Sequence, residues 1–197
     1  YSLAKNANGS ATATLVTHDG EEIVGTAVNF ALVSGQGNLS AASGVTDFNG
    51  EAAAGYTAPN DLTIGIVSAS YTGSDGQNYV AYTAVYVGYR ANVTDLFVDQ
   101  LASGAETAVI AGAVTAAKQG TGAPLLTLAV FDGNPQSTRP ESGESSPYVD
   151  IHLPDSAGVD SLAVTIACIS TCGSTVWWGN PVTGVWTAVT ANDLTIG

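Results

Sequence analysis

Basic side chains are scarce in this 197-residue chain. Lys5, Arg90, Lys118 and Arg139 stand against 17 acidic residues, for a formal charge of −13. Binding to nucleic acid needs lysines and arginines clustered against phosphates, and four scattered ones supply no such footprint. Attraction to an anionic bilayer fails for the same reason. The acidity reads as solubility and mutual repulsion at a crowded surface, with calcium held between carboxylates as the narrower alternative. No apolar run approaches the roughly 18 residues of a membrane span, so no membrane insertion is expected. A charged start followed by an apolar stretch, the mark of a secretory leader, is also missing, and the chain reads as a mature or excised piece. Amphipathic helical spacing is not sustained over windows longer than about ten residues. Glu106 to Lys118 comes nearest, and its valines and alanines fit a strand pair nearly as well.

Cysteine is limited to Cys168 and Cys172. Two thiols cannot complete a structural zinc site, which takes four ligands. The pair, in Cys-Ile-Ser-Thr-Cys-Gly, is expected to close a small disulfide loop, with Ser170-Thr171 and Gly173 supplying the turn. A redox Cys-x-x-Cys motif is disfavoured, since three residues separate the cysteines and no βαβ pattern surrounds them.

What the chain does have is short alternation broken by turn residues. Ala11, Ala13 and Leu15 alternate with threonines. Val28, Phe30 and Leu32 alternate with Asn29 and Ala31. Leu62, Ile64 and Ile66 share one face of a third candidate strand, and Tyr79 to Val87 is apolar on both faces. Asp19-Gly20, Asn49-Gly50, Pro59-Asn60-Asp61 and Gly73-Ser74-Asp75-Gly76 separate them. Short strands at this spacing predict an antiparallel sandwich. The length suits two domains of about 100 residues, and the long strand runs out near Gly88 to Ala91. The expected architecture is therefore all-β, two tandem antiparallel β-sandwich, immunoglobulin-like domains, 1–90 and 91–197. In the second, strands are expected at Leu125–Phe131, Tyr148–Leu153 and Ser161–Cys168, with a long polar loop from Asp132 to Pro147. Gly179 to Gly184 would reverse the chain between Val176-Trp177-Trp178 and Val185–Val189.

Residues 8–87 resemble the bacterial immunoglobulin-like repeats of the invasin and intimin type. The resemblance is carried by the Thr-rich strand ending at Asp19-Gly20, by Val28-x-Phe30, by Gly35-x-Gly37-x-Leu39 and by Thr46-Asp47-x-Asn49-Gly50-x-Ala52. Glu21-Glu22-Ile23-Val24 departs from the pattern, which usually has a proline shortly after the first turn. The resemblance implies a seven-stranded extracellular sandwich used in tandem as a stalk or display unit. The second half resembles small β-rich modules of exported bacterial and archaeal surface proteins, through Gly120 to Leu128, Asn134-Pro135, Tyr148-x-Asp150-Ile151, Val176-Trp177-Trp178 and Trp186. This resemblance implies a cellular location and no chemistry.

Candidate chemistry is sparse. Asp150 and His152 share a strand face, yet the chain lacks a Gly-x-Ser-x-Gly elbow, and a solvent-facing pair is the plainer reading. Glu21 and Glu22 point to opposite faces, while Glu141 and Glu144 sit in a loop, so neither makes a glycosidase pair. Asp47-Phe48-Asn49-Gly50-Glu51 could ligate calcium but also has the composition of a hairpin turn. Trp177 and Trp178 are candidates for stacking on sugar rings, against core and sheet-edge roles. Asn8, Asn38 and Asn92 head Asn-x-Ser/Thr sequons. A lysine–asparagine crosslink would need Lys5 or Lys118 buried beside an asparagine and an acid. No catalytic residue, metal or cofactor is expected. The expected function is a non-enzymatic extracellular structural or adhesive protein at the cell surface or in a filament. It would partner with itself or a neighbouring surface protein, with strand addition from residues 1–9 or the C-terminal end as one route. The alternative is a carbohydrate-binding module that grips a glycan with its tryptophan hairpin.

Overall fold

A computed structural model describes residues 1–136, 138, 148–167, 176–180, 183 and 185–189. Among these residues the chain is all-β, with no helix. It forms two compact units, Tyr1–Gly88 and Tyr89–Gly197.

The first unit holds β1 (Ser2–Leu3), β2 (Asn8–Thr14), β3 (Ala27–Ser34), β4 (Asn38–Leu39), β5 (Ser43–Val45), β6 (Glu51–Thr57), β7 (Thr63–Thr72) and β8 (Asn78–Val87). They form two sheets, ordered β1-β8-β7-β3-β5 and β2-β6-β4. Alternation decides the inner faces: on β6, Ala52, Ala54 and Tyr56 are buried, while Glu51, Ala53 and Thr57 are exposed. Val28, Phe30, Val67, Val85 and Val87 oppose Ala11, Ala52, Ala54 and Tyr56 in one core. Each large side chain buried there contributes about 1.5–3 kcal/mol. The larger sheet thus brings bulky residues and the smaller one mostly alanines.

Val67, one residue out of phase with Ile64 and Ile66, is the β7 residue buried in this core. Leu62 precedes β7, and Ile64 and Ile66 are buried on the opposite face. A central strand buried on both faces carries no alternation to choose between them. Contrary to the sequence expectation, the sandwich is not wholly antiparallel, because β1 runs parallel to β8, with Ser2 opposite Tyr86 and Leu3 opposite Val87. Residues 1–9, a candidate donor strand by sequence, are thereby engaged in the chain's own sheets, since Asn8 and Gly9 pair with Thr57 and Tyr56.

The second unit contains β9 (Val93–Gln100), β10 (Glu106–Ile110), β11 (Val114–Gln119), β12 (Leu125–Phe131), β13 (Tyr148–His152), β14 (Ser161–Ile166), β15 (Trp177–Gly179) and β16 (Trp186–Ala188). Two three-stranded sheets, β10-β11-β14 and β13-β12-β9, enclose a second core of Ala108, Ile110, Val114, Ala116, Leu126, Leu128 and Val130. The segment Glu106–Lys118 is a hairpin, with Glu106 paired to Lys118 and Ile110 to Val114. Its β-branched and small residues bury alternately, which a helix of that sequence could not do.

Candidate functional site

In the first unit a cleft of about 270 Å³ lies between the sheets, where β2 and the first half of β8 form its two lips. β2 is the edge strand of its sheet. On the outer side of β8, pairing with β1 is confined to Tyr86 and Val87, and the Tyr1 nitrogen donates to the Ala84 carbonyl at 2.7 Å. Strand alternation then aims the backbone N–H and C=O of Val80 away from β7 as well. Tyr79 and Val80 are 48 % and 43 % exposed. None of the described lining residues is charged. Ala11 and Ala13 line the cleft from β2, with Phe30 and Ala69 on the other sheet, and side chains this short leave space that larger ones would fill. The cleft's volume is below the roughly 300–1,000 Å³ usual for a small-molecule pocket. Two lips that no described strand covers and an apolar floor suit an extended peptide that adds backbone hydrogen bonds and inserts side chains.

The mouth is held in shape. Tyr71 and Tyr79 stack with ring centroids 5.2 Å apart, and the Tyr79 hydroxyl donates to Asp75 Oδ2 at 2.8 Å. The Gln77 amide and the Tyr79 hydroxyl, both donating to Asp75, hold its carboxyl below the usual range. At the other end of the core the Tyr56 hydroxyl donates to the Gln36 carbonyl, and burial raises its pKa. In the Gly35-x-Gly37 motif, Gly37 makes room for the Tyr56 ring and Gly35 lets the chain pass close to the β7 backbone. A Cβ on Gly37 would lie 2.4 Å from the Tyr56 ring, and one on Gly35 2.0 Å from the Ile64 carbonyl oxygen.

The Thr46–Gly50 segment is built as a corner. Asp47 Oδ1 accepts from the amides of Asn49 (2.8 Å) and Glu51 (3.0 Å), and Gly50, at φ 72°, donates to the Asp47 carbonyl. Buried Thr46 accepts from the Thr26 amide at 2.9 Å and donates to the Ile23 carbonyl at 2.6 Å. The aspartate oxygen that a calcium loop would present is thus engaged with the turn itself. Among the described residues, no group of three or more His, Cys, Asp or Glu is arranged to hold a metal ion.

Lys118, on β11 in the second unit, was missed as a structural centre by the sequence reading. It is fully buried, and its Nζ donates to the carbonyls of Gly104 (2.6 Å), Gly122 (2.7 Å) and Gly120 (3.2 Å). The ammonium ties the β9–β10 connection to the β11–β12 connection. Its three donors meet carbonyls, which corrects the crosslink reading: the hydrogen bonds of Nζ go to no asparagine or acid. Lys5 is exposed. A lone lysine in an alternating strand, followed by Gly-x-Gly, was the available signal.

The remaining candidates are dispersed. Trp178 is 55 % exposed while Trp177 is half-buried, across from Thr187 and Ala188. Trp186 fixes their hairpin by edge-on contact with Tyr148 and an Nε1 hydrogen bond to the Thr138 carbonyl at 3.0 Å. Asn8, Asn38 and Asn92 are all exposed. Asn8 Oδ1 accepts from the Thr57 hydroxyl. Asn92 donates through its side chain and its amide to Asp132, which keeps that carboxyl below its usual range. Asp150 and His152 pair with Ala129 and Thr127 on β12 and do not line the cleft. Burial, then the Asp150 charge, raises the pKa of Tyr89, which stacks on Phe131. Cys168 and Cys172 lie outside the described residues, as do Glu141 and Glu144. No described helix is long and apolar enough to cross a membrane.

No family model matches the chain, and no curated protein matches it. Among solved structures it is similar to the "D0-D1 domain of Intimin", at 20 % identity and a TM-score of 0.39, over 86 % of this chain and 81 % of that one.

Proposed function

We propose that this chain is a non-enzymatic extracellular structural or adhesive protein. It is a cell-surface or filament subunit whose two domains, 1–90 and 91–197, act as a display or stalk scaffold that associates by strand addition. The observation that carries this reading is the cleft whose described lining is uncharged, with a sheet edge on each lip that no described strand covers. An exposed edge beside an apolar slot is a template for another chain's strand. The acidic surface supports the same reading, since it keeps unassembled copies apart and leaves the uncharged cleft as the place for contact. An oxidising extracellular setting would close Cys168 and Cys172 into the small loop. Electron microscopy and sedimentation of the purified chain are expected to show ordered multimers that grow with concentration. They are also expected to grow with salt, as the −13 charge of each copy is screened. Monomers under all conditions would refute assembly by strand addition.

The second reading is a carbohydrate-binding hairpin, favoured by the exposure of Trp178 on a base anchored by Trp186. If it holds, Trp178→Ala abolishes binding on a glycan array while the melting temperature stays within about 2 °C, as for an exposed site. Absence of binding to any polysaccharide by the unmodified chain would end this reading.

A further inference from the structure

Six residues of the first unit, Asn60-Asp61-Leu62-Thr63-Ile64-Gly65, recur identically as Asn192-Asp193-Leu194-Thr195-Ile196-Gly197. In the first copy of this hexapeptide, Thr63, Ile64 and Gly65 begin β7 and pair antiparallel with Val87, Tyr86 and Val85 of β8. The sequence is therefore one that this fold already binds as a strand against β8. From this recurrence and the cleft together, we infer that Leu194–Ile196 of a second copy occupies the cleft as an added strand on the outer side of β8. This rests on the strand-addition reading and names its donor.

The chemistry of the two sides agrees. In an extended segment Leu194 and Ile196 point to one face and Thr195 to the other. Val85 and Val87 face the core, so alternation places Tyr79, Ala81 and Thr83 on the cleft side of β8. Leu194 and Ile196 enter between these residues and Ala11 and Ala13 of β2, filling the gap that the alanines leave. The backbone of Thr195 meets the outward N–H and C=O of β8 around Val80. Asp193 is the only charge in the hexapeptide, and it stays at the mouth beyond the uncharged lining. Donor and acceptor are different surfaces of the same chain. The contact is therefore heterologous, and it propagates from copy to copy unless the rotation closes a ring.

The test uses two variants of the whole chain. Leu194→Asp/Ile196→Asp spoils the donor and leaves the cleft intact. Ala81→Glu, at an exposed position on β8, spoils the cleft and leaves the donor intact. Melting temperatures close to that of the unmodified chain confirm that both fold. Sedimentation is expected to show multimers for the unmodified chain, monomers for each variant alone, and heterodimers that grow no further in an equimolar mixture. The mixture contains one usable donor and one usable cleft per pair. If both variants assemble like the unmodified chain, this donor is wrong while self-association stands. If the unmodified chain is monomeric throughout, strand addition between copies fails as well. In that case a synthetic peptide of residues 189–197 that binds only the donor variant shows the segment seated on its own copy. That result also overturns the inference.

Discussion

Replacing Lys118 by methionine is expected to destabilise the second unit by about 3 kcal/mol, because buried acceptors left without donors cost about 1–3 kcal/mol each. Methionine keeps most of the aliphatic stem, so the loss isolates the ammonium rather than the packing. The Gly120 carbonyl retains the Gly104 amide at 3.0 Å, whereas the carbonyls of Gly104 and Gly122 are the ones that lose a short contact. At about 4–8 °C per kcal/mol for a unit near 100 residues, the thermal transition of the second unit should fall by roughly 12–24 °C. Lys5→Met, at an exposed site, should change stability by less than about 0.5 kcal/mol. A similar small change for Lys118→Met would mean that the loops hold without the ammonium.

Gly35→Ala is expected to cost the first unit about 3 kcal/mol. Gly35 sits at φ 81°, where a side chain costs about 1–2 kcal/mol. Its Cβ would also lie 2.0 Å from the Ile64 carbonyl oxygen and 2.9 Å from the Gly65 Cα. Both are backbone atoms of a central strand, so no rotamer change relieves the clash, and crowding of this kind adds about 1–3 kcal/mol. Gly76→Ala is the matched control: its φ is 78°, yet nothing lies within 4 Å of the added carbon. It should cost about 1–2 kcal/mol. Chemical denaturation of both variants separates the backbone penalty from the clash. Equal losses would show that crowding contributes nothing at Gly35.

The fold was legible where its causes are local. Alternation of Ala52, Ala54 and Tyr56 with polar or exposed neighbours marks β6, and Asp47, Asn49 and Gly50 mark the corner before it, because side chain and turn interact within a few residues. Where a strand is buried on both faces, as β7 is, the sequence could not say that Val67 rather than Ile64 and Ile66 enters the core. The cleft left only an indirect trace, the alanines of β2. The recurrence of Asn60–Gly65 was there to be read, but it acquired meaning only once the first copy was seen paired to β8.

By itself the amino-acid sequence determined that this is an acidic all-β chain of short strands and tight turns, without the lysine and arginine clusters that bind phosphates. Those properties depend on composition and on neighbours two to four residues apart. Tertiary structure alone decided that the edges of β2 and β8 face each other across an unfilled gap, that Tyr56 needs Gly37 and Gly65, and that Lys118 ends among three carbonyls. Each depends on which distant strands become neighbours, and pairing between residues dozens of positions apart is set by the packing of the whole sandwich.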